Sequence, residues 1–161
     1  MFKNAKFFVS SKELEYIEKQ SDKFEVEYLP QLLKDKIVTV DEGQELHGLK
    51  FIMLPGHTGG SMGIISEDGV LFTGDAIRYF LDAYKKEVSL ALYDINEANK
   101  SIRKALKIAK IIVPGHDIPF AIENGVPKRL PDFRANDFKI SLYGELSISL
   151  LQFCCVSQLS F

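Results

Sequence analysis

The chain has 161 residues, the size of one ordinary domain, of which 46% are hydrophobic and 26% charged. That balance excludes a disordered chain, a collagen-like repeat and a disulfide-scaffolded miniprotein. With 20 Lys and Arg against 22 Asp and Glu, the net charge of −2 argues against a nucleic-acid partner. The two cysteines, Cys154 and Cys155, are neighbours and poorly placed to pair with each other. The opening residues run into strand-like sequence without a signal-peptide pattern, so the expected location is the cytoplasm.

Residues 5–9 read as a short apolar strand. A helix follows over 12–20, capped by Ser10 or Ser11, with Leu14 and Ile17 on its apolar face. Pro30 precedes a further helical turn at 31–34. Four β-type runs come next, at 37–40, 49–54, 62–66 and 70–73, divided by Glu42-Gly43, Pro55-Gly56 and Asp68-Gly69. Asp68-Gly69 carries the strongest hairpin signal among these turns. The spacing predicts a helix over 96–110, with Ile102, Leu106, Ile108 and Ala109 in its stripe and Asp94 or Asn96 at its start. It feeds a buried strand at 111–113, the pattern of a layered α/β fold. From 141 to 161 there is no Lys or Arg, one acid and five serines. The chain therefore divides into a domain at 1–140 and an atypical apolar, serine-rich tail at 141–161. Polar residues interrupt that tail too often for a membrane span.

Only three histidines exist, His47, His57 and His116. His57 follows Leu54-Pro55-Gly56 and His116 follows Val113-Pro114-Gly115, so each sits on a tight turn after an apolar strand. Asp75 ends a third strand, in Leu71-Phe72-Thr73-Gly74-Asp75. His47 has no such setting and reads as an exposed loop residue. Two imidazoles and a carboxylate form a credible set for zinc or another borderline divalent metal. Separations of 18 and 41 residues carry no information by themselves, however. Chemistry alone leaves two readings open, a metal-binding set or three strand-ending turns. Arg78 and Tyr79, just beyond Asp75, are candidates to face a substrate carbonyl or carboxylate, or simply to occupy a surface loop.

Leu54-Pro55-Gly56-His57-Thr58-Gly59-Gly60-Ser61 resembles the Pro-Gly-His-Thr-Pro-Gly-Ser motif of the metallo-β-lactamase-fold metallo-hydrolase superfamily, with Gly59 in place of the usual proline. Leu71-Phe72-Thr73-Gly74-Asp75 resembles that superfamily's strand ending in a bridging aspartate, and Ile112-Val113-Pro114-Gly115-His116 its last histidine motif. The resemblance spans roughly residues 5–120 and implies an α/β fold, the C-terminal half of an αββα sandwich. It implies that His57 binds one zinc, Asp75 bridges two, and His116 binds the second. Thr58 and Ser61 would support the metal-binding turn. The superfamily's His-x-His-x-Asp-His motif has no counterpart here.

The reaction so implied is metal-assisted hydrolysis of a small ester, thioester or lactone. The missing motif implies a truncated enzyme, impaired alone. Its partners would be a complementing first-half chain or a second copy; a non-catalytic remnant or interaction module is the alternative. Half a sandwich would also leave Phe51, Met53, Ile64, Leu71 and Phe72 uncovered.

Overall fold

The computed structural model describes residues 6–20, 34–130, 139–141 and 147–149. Its organising helix, labelled α3 below, spans Ile95–Ile108. Asp94 caps it, its side chain accepting from the amides of Asn96 and Glu97. Ala98, Ile102, Ala105 and Leu106 recur at helical spacing and are buried, so one stripe of the helix faces the core. That stripe packs with Ile52, Leu54, Leu71, Ile112 and Phe120 from the sheet. Each such side chain removed from water contributes about 1.5–3 kcal/mol.

The sheet holds seven strands in the order β3-β4-β5-β6-β7-β8-β9. These are β3 (Glu45–Leu46), β4 (Leu49–Met53), β5 (Met62–Ser66), β6 (Val70–Gly74), β7 (Ile111–Pro114), β8 (Phe120–Glu123) and β9 (Val126–Arg129). All neighbours are antiparallel except β6 and β7, whose crossover contains α3 and the short helix α2 (Phe80–Lys85). Leu71 and Ile112 face the helices. Their neighbours Val70 and Val113 form a second cluster with Phe72 and Ile111, as the two-residue period of a strand requires.

A separate parallel pair, β1 (Phe7–Ser10) and β2 (Ile37–Val40), is followed by α1 (Ser11–Gln20) after its first strand. Phe8 of β1 meets Phe51 of β4 at a ring separation of 5.9 Å. The strands β10 (Lys139–Ser141) and β11 (Ser147–Ser149) form an antiparallel pair.

Several expectations need correction. The first strand runs Phe7–Ser10 and not 5–9, while of the two cap candidates Ser10 is borne out, its hydroxyl accepting from the Glu13 amide. Of the predicted turn at 31–34, residues 31–33 lie outside the described residues and Lys34 opens a 3-10 turn over Lys34–Lys36; nearly all of the tail also lies outside them. Of the five apolar side chains expected to be uncovered, Phe51, Met53 and Leu71 are buried, and Ile64 and Phe72 are half-buried. Leu71 packs under α3, and β1 contacts Phe51. Residues 117–130, unassigned from sequence, supply β8 and β9. Their turn is Asn124-Gly125, with φ of 52° and 75° at the two residues, which suits a tight hairpin.

Candidate metal centre

Strand direction explains why three distant residues meet. β4 and β6 each run antiparallel to β5, and β7 runs parallel to β6, so β4, β6 and β7 all point the same way. Their C-terminal ends open on one edge of the sheet, and His57, Asp75 and His116 lie just beyond those ends. Loops on such an edge are held by a rigid scaffold while their side chains stay accessible.

The carboxylate of Asp75 stands between both imidazoles. Its Oδ2 is 3.5 Å from Nε2 of His57, and its Oδ1 is 2.9 Å from Nε2 of His116. The side chains are 13% exposed at His57, 25% at Asp75 and 43% at His116, so the group lines an opening without being sealed. A cleft of about 270 Å³ beside it is lined by Phe8, Glu13, Thr58, Ser61 and Asp75 among others.

Each imidazole is held from its backbone. The His57 carbonyl accepts from the Leu92 amide, and the Gly56 carbonyl accepts from Tyr93 and Asp94. His57 Nδ1 lies 3.3 Å from the Leu90 carbonyl, which can only accept, so that contact places the ring proton on Nδ1. The Nε2 lone pair then faces a carboxylate oxygen. Two acceptors face each other there, an arrangement that a proton or a metal ion between them would reconcile.

On the other side, the Gly115 and His116 amides donate to the carbonyls of Ile77 and Arg78. Asp82 is buried, and its Oδ2 accepts from the Arg78 and Tyr79 amides and from the Ser89 hydroxyl. Asp117 accepts from the Phe80 amide. Tyr79 lays its ring 5.9 Å from that of His116, and the Arg78 guanidinium lies 5.3 Å from the Tyr79 ring centre. Tyr79 thus stands against His116, and Arg78 against Tyr79. Thr58 and Ser61 bind each other across the turn after His57, hydroxyl to hydroxyl at 2.8 Å, with the Thr58 amide donating to Ser61 Oγ. His47 sits exposed in the β3–β4 turn, with φ of 51°.

Sequence reasoning overlooked Glu13 and Asp82. Glu13 stands three residues after Ser10, a Ser-x-x-Glu spacing that marks a helix start. Its carboxylate accepts from Thr58 and Gly60 in the His57 loop. No local pattern betrays Asp82, whose importance arises from burial.

The donor types and the aim of both Nε2 atoms suit two adjacent metal positions sharing Asp75. Each position would receive one imidazole and one carboxylate oxygen, short of the three protein ligands typical of catalytic zinc. Among the described residues, no group of three or more His, Cys, Asp or Glu is arranged to hold one ion.

By sequence, the chain matches no protein-family model and no curated protein. By structure, it is similar to AidC, a dizinc quorum-quenching lactonase in complex with its product, at 19% identity and a TM-score of 0.60 over 84% of this chain and 57% of that one. It is also similar to the hydrolase AbOPH of the β-lactamase superfamily, at 20% identity and a TM-score of 0.60, over 81% of this chain and 57% of that one. A third similar structure is an N-acyl homoserine lactone hydrolase with N-hexanoyl-L-homoserine bound at its catalytic metal centre. It shows 28% identity and a TM-score of 0.57, over 73% of this chain and 49% of that one. The chain spans about half the length of these structures. No helix among the described residues is long and apolar enough to cross a membrane. In its order of strands and helices, the chain has the fold of these metallo-β-lactamase-superfamily structures over the part that it spans.

Proposed function

We propose that this chain supplies the second-half metal ligands of a zinc-dependent hydrolase acting on a small ester, thioester or lactone in the cytoplasm. The remaining ligands would come from a complementing first-half chain, since a second copy would carry the same three histidines and no His-x-His-x-Asp-His. One observation carries the reading: the Asp75 carboxylate divides its two oxygens between the Nε2 atoms of His57 and His116. A bound metal pair would supply a hydroxide nucleophile near neutral pH and polarise the substrate carbonyl. His57 and His116 would each hold one ion, and Asp75 would span both. The Leu90 carbonyl keeps the His57 proton on Nδ1 and leaves Nε2 free for that task. Tyr79 and Arg78, beside His116, would form the substrate-facing wall. Neither a nucleic acid nor a membrane is part of this reading.

The test is hydrolysis of a chromogenic ester and a simple lactone with added zinc. The chain alone should show little turnover, and mixing with a first-half polypeptide bearing His-x-His-x-Asp-His should raise it. Asp75→Asn should abolish the gain. Full activity of Asp75→Asn in that mixture would overturn the proposal. The shortage of donors per ion favours a second reading, a non-catalytic interaction module, which predicts no gain on mixing.

A further inference from the structure

Glu13 lies 44 residues before His57, on a different layer of the fold, yet it reaches the loop that carries that histidine. A single carboxylate oxygen, Oε2, accepts the Thr58 hydroxyl at 2.5 Å and the Gly60 amide at 2.9 Å. Both are charge-assisted bonds. The same helix start is clamped a second time through Ser10, whose hydroxyl accepts from the Glu13 amide and donates to the Gly60 carbonyl. The approach leaves no space for a side chain at Gly60. A Cβ there would fall 2.0 Å from the Glu13 nitrogen and 2.3 Å from its Cα.

The turn that follows His57 therefore takes its shape from α1 as well as from its own residues. Thr58, adjacent to His57, has its hydroxyl committed to Glu13 and Ser61. We propose that Glu13 is the positioning residue for His57: its Oε2 fixes the turn at 58–60 and so aims the His57 imidazole at Asp75. The inference concerns the folded chain without metal, so its failure would be separate from failure of the hydrolase reading.

A competing role exists and predicts the opposite pattern. Glu13 stands in the first turn of α1, where any acid interacts favourably with the helix dipole. That role needs negative charge near the helix start, which Glu13→Asp keeps and Glu13→Gln removes. The positioning role needs an acceptor oxygen at full reach. Because both bonds end on one oxygen, the amide oxygen of Glu13→Gln can receive them, whereas Glu13→Asp is a methylene too short and Glu13→Met has no oxygen.

The three histidines make this readable in the full chain. Imidazole ¹⁵N resonances, assigned by single His→Gln variants, report each ring separately, and thermal unfolding reports the fold. Glu13→Asp and Glu13→Met should displace the His57 resonances while His47 and His116 stay in place, and Glu13→Gln should restore the wild-type His57 position. An unmoved His57 in Glu13→Asp would overturn the proposal, as would a His57 displaced by Glu13→Gln. Should Glu13→Met fail to unfold cooperatively, the Asp and Gln pair still decides between the two roles.

Discussion

The point a Cβ would occupy on Gly115 lies 2.6 Å from Oδ1 of Asp75, the same oxygen that meets His116. The next obstacles are the carbonyl oxygen and carbon of Gly74, at 2.8 and 3.0 Å, and backbone yields poorly. Gly115 is thus a condition for Asp75 standing where it does. Gly115→Ala should push the carboxylate away from His116 and cost about 1–3 kcal/mol from overpacking. The check is zinc affinity beside the unfolding midpoint, with affinity falling in the variant. Unchanged affinity would mean that Asp75 has room to move.

Asp82 holds the opposite wall. Removing its carboxylate in Asp82→Ala leaves the Arg78 and Tyr79 amides without their acceptor, at about 1–2 kcal/mol for each of these part-buried bonds. The expected loss is about 2–4 kcal/mol. Thermal unfolding should record it as a fall of roughly 4–16 °C for a chain of this size. Asp82→Asn keeps an acceptor oxygen and should lose much less.

Tyr16 predicts an alkaline effect. Burial raises its pKa above the ordinary 10.0, and the nearby Glu13 and Tyr93 add to the shift. The folded state then keeps the phenolic proton after the unfolded chain has released it. More protons are bound to the folded chain in that window, so stability falls as pH rises above 10.0 toward the raised folded value. Tyr16→Phe should decline less across that range in denaturant unfolding. An equal decline in both proteins would contradict the assignment.

The parts of the fold that were legible in sequence are those with a long or strongly apolar signal. Of the stripe expected on α3, Ile102, Leu106 and Ala109 are buried, whereas Ile108 is exposed and Ala98 and Ala105 take part unexpectedly; β7 is a run of Ile111, Ile112 and Val113. The hairpin of β8 and β9 escaped because its strands have four residues each and Pro127 reads against a strand. Pro127 is accommodated because β9 lies at the edge of the sheet. The helix α2 has six residues and begins after Tyr79, which carries no capping signal. At the site, the three strand-end motifs were readable, but their convergence was not. That depends on β4, β6 and β7 running in one direction, a property of pairing and not of any local segment. Asp82 was invisible because an Asp in a short helix without a sequence signal ordinarily signifies exposure, and only the packed structure reveals it as buried.

The account centres on His57, Asp75 and His116 as partial ligands of a metal pair, and zinc titration against a chromogenic chelator tests it most directly. With two protein donors per ion, the chain alone should bind zinc weakly and lose most of it on dialysis. The double variant His57→Ala, His116→Ala should bind none at these positions. Two zinc ions per chain retained through dialysis, or binding unaffected by the double replacement, would contradict the account.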